Sequence, residues 1–123
     1  MADLVLVEVA GRRLAVSAAR VREVTVLSTV TPVPTAPRPV VGLTQLRGQI
    51  VPVLDLRPEE VSKDLLTSEG RTPRPQDPLV VVELGPARAA LWVDRVLGVQ
   101  PGGDAEVIDV GALFDQLRQR VTP

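Results

Sequence analysis

Short apolar runs recur along the whole chain and predict a structure built mostly of β-strands. Valine supplies 23 of the 123 residues, and β-branched side chains favour strands because their stiff χ1 angle suits a pleated surface. Short strands separated by frequent turns are typical of a β-barrel or sandwich rather than of alternating βα units. The predicted strands are Leu4–Val9, Leu14–Val16, Arg22–Leu27, Val40–Leu43, Gln49–Leu54, Leu79–Leu84, Ala89–Val93 and Ala105–Val110.

Two connections between these strands contain turn residues that predict hairpins. Ala10-Gly11-Arg12 lies between the first and second runs, and Gly85-Pro86-Ala87 lies between the sixth and seventh. Pro52 interrupts the fifth run. Because proline cannot donate to a sheet ladder, Pro52 predicts an edge strand or a bulge.

Three short segments predict helices, and two proline-rich segments predict irregular connections. Pro32–Pro39 predicts an extended connector, since each proline restricts its own φ and the residue before it. Thr67–Pro78 mixes prolines with polar residues and predicts a mobile surface loop. No shift in composition marks a second domain, so residues 1–123 are expected to form one. The predicted helices are one turn from Ser17 to Arg20, Pro58–Leu66, and Gly111–Val121, whose apolar residues recur on one face.

Composition and charge exclude several classes of protein. With 45% hydrophobic residues, the chain has enough apolar material for a folded core. Fourteen basic and fifteen acidic residues leave a net charge of −1, which argues against a nucleic-acid-binding protein and against a polybasic membrane anchor. No apolar run approaches the roughly 20 residues that span a bilayer, and the acidic start Met1–Leu4 is unlike a signal peptide. We therefore expect a cytoplasmic protein without membrane insertion.

The absence of histidine and cysteine narrows the chemistry further. Cys/His metal sites, Ser-His-Asp triads, Cys-His nucleophiles and disulfides are all ruled out. The two aromatic residues, Trp92 and Phe114, are too few for the stacking platforms that bind single-stranded nucleic acid. We therefore expect no metal, no cofactor and no enzymatic activity.

Two aspartates at predicted strand ends leave an enzymatic hypothesis open. Asp55 follows Gln49–Leu54 and Asp94 follows Ala89–Val93, so the carboxylates could form an acid/base pair if they converge. The competing interpretation is that each accepts backbone N–H bonds at a turn or pairs with a nearby arginine. Asp55 would also suit a phosphoacceptor receiver domain. That fold needs alternating helices and an acidic cluster after its first strand, where Ala10–Arg13 is basic instead.

The most distinctive stretch of the chain is Gly42–Arg57, with the sequence GLTQLRGQIVPVLDLR. Gly48 lets the backbone turn into the next strand. Arg47, just before it, is placed to project outward and offer a bidentate guanidinium. Arg47 could instead tie down a loop carboxylate, and the residues alone leave both interpretations open.

This stretch resembles the hallmark of the CheW family of chemotaxis coupling proteins, which reads Gly-x-x-Asn-Leu-Arg-Gly-x-x-x-Pro-x-x-Asp-Leu-Arg. The resemblance runs in order from Leu4 to Val99 and is specific, because Gly, Arg, Pro and Asp recur at fixed offsets. Its further parts are the first strand and turn at Leu4–Gly11, the strand start Val21–Val24, the prolines Pro34 and Pro37, and Leu91–Val96.

The chain departs from the family pattern at two places. Gln45 stands where the family usually has asparagine. Between Val99 and Ala105 only Gln100–Asp104 remain, where the family continues through further strands of its second barrel. The resemblance therefore implies a shortened second barrel.

The resemblance implies a fold and a function. Members of the family fold as a pair of small SH3-like β-barrels, here with the second one shortened, and end in a C-terminal helix. They are not enzymes. They connect the cytoplasmic tips of chemoreceptors, the methyl-accepting proteins, to a CheA-like histidine kinase, and they contact other CheW-like proteins. A groove between the barrels takes the helical hairpin of the receptor.

The same resemblance carries over four partner-binding residues: Val21, Glu23, Arg47 and Val99. The two valines would offer apolar surface to a receptor helix, and Glu23 and Arg47 would act as polar anchors. The alternative is ordinary core packing for the valines and a solvated strand-face carboxylate for Glu23.

The shortened barrel leaves two possible functions, an adaptor and a complete coupling protein. We expect a chemosensory adaptor that keeps receptor binding while kinase coupling is reduced or lost, similar to the short CheW-like protein of myxobacterial Frizzy pathways. The alternative is a complete receptor–kinase coupling protein that activates the kinase.

Overall fold

The computed structural model describes residues 3–33, 39–56 and 73–121 and shows two β-sheets followed by a helix. The mostly β architecture predicted from the sequence is confirmed. A short 3-10 helix, Ala18–Arg20, connects the first sheet to the second. The strands are β1 (Leu4–Val9), β2 (Arg12–Ser17), β3 (Val21–Val26), β4 (Val40–Leu46), β5 (Gln49–Asp55), β6 (Pro78–Leu84), β7 (Ala87–Trp92), β8 (Arg95–Gln100) and β9 (Glu106–Ile108), and the helix is α1 (Val110–Val121).

The first sheet has four strands in the order β8-β1-β2-β9. β1 and β2 form the predicted hairpin around Ala10 and Gly11, with Leu6 opposite Ala15. Both turn residues have positive φ, 52° and 78°, as the tight turns of hairpins require. β8 pairs antiparallel with β1, and β9 pairs parallel with β2. The first and last thirds of the chain therefore build this sheet together.

The second sheet has five strands in the order β3-β6-β7-β5-β4. The predicted hairpin at Gly85–Ala87 joins β6 to β7. The chain that follows β3 returns to the opposite edge of the sheet, where Thr31 pairs with Leu43 and the Thr44 hydroxyl donates to the Thr29 carbonyl at 2.6 Å. These bonds bring the β3 and β4 ends of the sheet together, as a small barrel requires.

Two clusters of buried side chains fill the protein. The inter-sheet core lies between the first sheet, one face of the second sheet and α1, and the barrel core lies on the other face of the second sheet. β6 contributes to both, which explains why its residues Leu79–Val82 form a continuous apolar run rather than an alternating one. The inter-sheet core contains Val5, Val7, Val9, Leu14, Val16, Leu54, Val80, Val82, Ala89, Leu91, Val93, Val110, Leu113 and Phe114. The barrel core contains Leu27, Val51, Val53, Leu79, Val81, Ala90 and Trp92.

The structure corrects the sequence interpretation at three places. β8 was not among the predicted strands, because Gly98 interrupts its apolar residues. Pro52 was expected at an edge or a bulge, but β5 lies inside the sheet, and its pairing with β7 covers only Val53–Asp55. Pro78, assigned to a loop, begins β6.

Some predicted elements fall partly or wholly outside the described residues. These are the helix Pro58–Leu66, residues 34–38 of the proline-rich connector and residues 67–72 of the predicted loop. The rest of that loop is tied to the end of β3, since Gln76 N donates to Leu27 O and Leu27 N donates to Asp77 O, both at 2.8 Å.

Candidate functional site

Arg47 lies at the tip of the β4–β5 hairpin, where the backbone turns sharply. Its φ is +49° and that of Gly48 is +79°, and paired positive φ values are typical of two-residue hairpin turns. The turn lifts Arg47 off the sheet, and its side chain is 73% exposed. The outward projection predicted for Arg47 is therefore present.

The guanidinium of Arg47 pairs with Glu23 on β3. Nη2 donates to Oε2 at 2.8 Å, and Nε donates to Oε1 at 3.1 Å. The Glu23 side chain is only 20% exposed. Because β3 and β4 are opposite ends of the strand order, this two-point ion pair helps to close the barrel. Arg47 thus combines the two roles that the sequence left open, because it ties down a carboxylate while its own side chain is largely exposed.

The ion pair perturbs the protonation of both partners. The hydrogen bond from Arg47 holds the pKa of Glu23 below its ordinary value, and the positive charges of Arg22 and Arg88 act in the same direction. The pKa of Arg47 is raised by the same hydrogen bond. Glu23 is therefore ionised throughout the neutral range, and the pair is fully formed there.

Acid should remove the stabilisation that this pair supplies. A carboxyl whose pKa is lower in the folded state stabilises the fold above its unfolded pKa and loses that effect as the pH falls through the folded pKa. We expect Glu23→Gln to melt below the wild type at about pH 7 and the two melting temperatures to converge as the pH falls through the lowered pKa of Glu23. Thermal melts at several pH values would check this. A gap that persists at the acidic end would show that the carboxylate charge is not the cause.

Further charged residues surround the pair at the same end of the second sheet. Arg22 and Arg88 both contact Oε2 of Glu83, each at 3.4 Å, and Arg88 also donates to the side chain of Gln49. These strands place the start of β3, the β6–β7 turn and the β4–β5 turn at one end of the barrel. The result is a polar surface built from all the strands of this sheet.

Val99 lies on the other sheet, at the open end of an apolar row. It pairs with Val5, which pairs with Val16, which pairs with Ile108. Residues directly opposite one another point to the same face of a sheet, and Val5 and Val16 belong to the inter-sheet core. Val99 is 64% exposed, so the end of this row at Val99 extends beyond the buried part of the inter-sheet core.

Val21 is half-buried and packs against the inter-sheet core. It pairs with Val82 at the start of β3, next to a register shift that ends at Glu23. The core-packing interpretation therefore applies to Val21, whereas Val99 is largely open to solvent. Of the four residues named from the sequence, the structure brings Glu23 and Arg47 into contact and places Val99 on a different sheet.

The structure adds a candidate that sequence analysis missed. Val24 pairs with Val80, which pairs with Leu91, which pairs with Leu54. The inner three are fully buried in the inter-sheet core, but Val24 is 49% exposed. Val24 is therefore the counterpart of Val99 on the second sheet. The sequence does not indicate that Val24 is exposed, because a strand valine at the open end of such a row cannot be distinguished in sequence from a buried one.

Val24 and Val99 lie on β3 and β8, which are terminal strands of the two sheets that enclose the inter-sheet core. A groove of about 290 Å³ is lined by β9, the start of α1 and Leu56, which follows β5. The β9 edge of the first sheet therefore meets the β5 side of the second. This leaves β8 and β3, which carry the two exposed valines, at the opposite edges of their sheets.

The two aspartates of the enzymatic hypothesis both take part in hydrogen bonds with the backbone. Oδ2 of Asp94 accepts a hydrogen bond from Ala10 N at 2.7 Å, which confirms the turn role predicted for it. Asp55 is the buried last residue of β5, and its own N–H donates to the Pro39 carbonyl at 2.9 Å.

Within residues 3–33, 39–56 and 73–121, no group of three acidic side chains is placed to hold a metal ion. Among the helices in these ranges, none has the length and hydrophobicity to span a bilayer.

Comparison with known proteins identifies a family and similar solved structures. The model of the CheW-like domain family matches residues 3–119. The crystal structure of the scaffolding protein TtCheW from Thermoanaerobacter tengcongensis superposes with a TM-score of 0.63 at 27% identity, covering 84% of this chain. The chain spans only 63% of the length of that protein. No curated protein sequence gives a significant match. The two sheets and the terminal helix agree with the SH3-like pair expected from the sequence. The short connection after β8 lies in the first sheet, so the shortened barrel is the one that contains β1, β2, β8 and β9.

Proposed function

The chain belongs to the family of CheW-like domains, and from this premise we propose that it is a non-enzymatic chemosensory adaptor that binds the cytoplasmic signalling tip of a chemoreceptor. The observation that carries the proposal is the pair of apolar rows, one in each sheet, that end in exposed valines on terminal strands, Val24 on β3 and Val99 on β8. A receptor partner of this kind would place the protein in the cytoplasm.

The geometry suits an amphipathic helix laid along the junction of the two sheets. Such a helix binds through apolar residues that repeat on one face, and Val24 and Val99 offer the complementary apolar surface. Glu23 lies on β3 beside Val24, and Arg47 lies in the β4–β5 turn, so their ion pair supplies a charged anchor at one end of the second sheet. Arginine is among the side chains most often found at binding hot spots. Val21 supports this surface from beneath, because it is packed against the core.

Kinase binding is proposed to be weak or absent. Among the described residues, the first sheet has four strands and the second has five, and β8 connects to β9 through only Pro101–Ala105. Stable protein interfaces bury about 1,200–2,000 Å² in total, so losing strands from the end of one barrel removes much of a potential contact face. The chain would then act beside a full-length coupling protein. The alternative is a complete coupling protein that activates the kinase with the shortened barrel.

Titration calorimetry with two purified partners tests the proposal. The first is a soluble receptor fragment that contains the signalling tip, and the second is the regulatory domain of a CheA-like kinase. We expect binding to the receptor fragment in the micromolar range, and kinase binding at least about tenfold weaker. Equal affinity for the two would favour the complete coupling protein. Failure to bind any receptor fragment while the kinase domain binds would overturn the adaptor assignment.

A further inference from the structure

β8 contains a β-bulge in the middle of its pairing with β1. Gly98 lies opposite Leu6, and Val96 lies opposite Val7. Leu97, between them on β8, is therefore an extra residue without a counterpart on β1, which is the defining feature of a bulge. Because successive strand residues point to opposite faces, an extra residue also changes which residues of β8 share a face.

The bulge allows two valines that are three residues apart to point to the same face. In a regular strand, residues at this spacing lie on opposite faces. Val96 packs against the inter-sheet core, and Val99 lies opposite Val5, which belongs to the same core. Val99 therefore shares this face with Val96 only because the bulge takes Leu97 out of the alternation.

Gly98 has the backbone conformation that makes the bulge possible. Its φ is +138°, far outside the regions that residues with a Cβ adopt, including the left-handed region at about +50° to +70°. A Cβ built on Gly98 would meet no atom of the described residues within 4 Å. The glycine is thus required by its backbone conformation and not by a lack of space, so a residue with a Cβ should oppose the bulge.

The chain just before the bulge is held by contacts additional to the strand pairing. Asp94 N donates to Glu8 O at 2.8 Å, and Ala10 N donates to Oδ2 of Asp94 at 2.7 Å. Nη2 of Arg95 donates to Oε1 of Glu8 at 2.9 Å. If the bulge is lost, this part should therefore keep its register, and the residues after it should move by one position along β1. Such a shift turns Val99 to the other face of the sheet.

We propose that Gly98 is a positioning residue for receptor binding, because the bulge that it permits keeps Val99 on the face that meets the receptor helix. This inference rests on the receptor-binding function proposed above, in which Val99 supplies apolar surface. It adds to that function a requirement for one glycine in β8, since Val99 would point away from the receptor in a regular strand of the same sequence.

The competing role for the bulge is protection of the strand edge, since bulges also discourage pairing between chains. That role does not depend on the face that Val99 occupies. If it were the only role, Gly98→Ala would bind the receptor normally, and the variant would associate at high protein concentration.

Gly98→Ala and its rescue by a deletion test the proposal. The alanine opposes the positive φ, so the bulge should be lost and Val99 should turn away from Val5. Deleting Leu97 as well removes the extra residue. A regular strand then places Val99 opposite Val5 again, with no need for a positive φ at position 98.

Gly102→Ala is the matched control for backbone strain. Gly102 has a φ of +154°, and a Cβ built on it would also meet no atom of the described residues within 4 Å. It lies beyond Gln100, the last residue of β8, so its substitution should leave the register of Val99 unchanged. This variant should melt at a lower temperature than the wild type and bind the receptor fragment within about twofold of it.

Two measurements on the full chain separate the geometry from the function. A nuclear Overhauser effect between the methyl groups of Val5 and Val99 reports that they lie side by side, and it needs no partner. Calorimetry with the receptor fragment reports binding. We expect Gly98→Ala to lose the methyl contact and to bind at least about tenfold more weakly. With Leu97 also deleted, the contact should return and binding should lie within about threefold of the wild type.

A methyl contact that persists in Gly98→Ala would overturn the proposal, because the register would then not need the glycine. Loss of the contact with unchanged receptor affinity would overturn it too, as would a rescued variant that regains the contact but not the affinity. Absence of binding by the wild type would instead overturn the receptor-binding function itself. The methyl contact would still show whether Gly98 sets the face of Val99.

Discussion

Replacing Val24 and Val99 together by aspartate should abolish detectable binding to a receptor tip and leave the protein folded. Both side chains are largely exposed ends of apolar rows, so their loss removes little from the core. Each would desolvate against a bound helix, and hot-spot residues of this kind contribute about 2 kcal/mol or more each. Since the two lie on different sheets, their effects should add, and we expect at least about a 100-fold loss of affinity.

Calorimetry and thermal melting on the same samples would check this expectation. Val107→Asp is the matched control, because Val107 is 55% exposed but lies on β9, at the opposite end of the first sheet from β8. It should bind the receptor fragment normally. Melting temperatures of both variants should stay close to that of the wild type, as is usual for surface substitutions. Retained binding by the double variant would move the interface away from the inter-sheet junction.

The sequence predicted most strands because burial on one or both faces leaves a pattern along the chain. Leu4–Val9 alternates between faces, and Leu79–Val82 is apolar throughout because β6 touches both cores. β8 escaped prediction because its residues do not form such a pattern. Gly98 has a φ of +138°, and the register with β1 shifts beside it. An exposed edge strand with a bulge buries few side chains, so its sequence shows no regular pattern of apolar residues.

Only some residues of the candidate site could be named from the sequence, and their contacts could not be predicted. Arg47 and Glu23 were named from resemblance, yet their ion pair depends on the closing of the second sheet, which joins residues 24 positions apart. Val21 and Val99 looked equivalent in sequence, and only the arrangement of the sheets makes one half-buried and the other exposed. Val24 could not be found at all, because its exposure depends on where the first sheet stops covering the second.

Exchanging the charges of Glu23 and Arg47 should separate the structural role of this ion pair from its role in binding. Arg47→Glu alone places two carboxylates against each other, which is destabilising, and removes the exposed guanidinium. Glu23→Arg combined with Arg47→Glu restores an ion pair between the same strands. We expect the melting temperature to fall in the single variant and to recover in the double variant.

Receptor binding should not recover with it. In the double variant a carboxylate occupies the exposed hairpin tip, where the wild type presents a guanidinium that is 73% exposed. A partner surface that complements a positive charge is repelled by a negative one, and reversing a charge at an interface costs several kcal/mol. We therefore expect both variants to bind the receptor fragment at least about 30-fold more weakly than the wild type. If affinity instead returns together with the melting temperature, Arg47 acts only by closing the barrel, and the surface that meets the receptor must be built from the exposed valines alone.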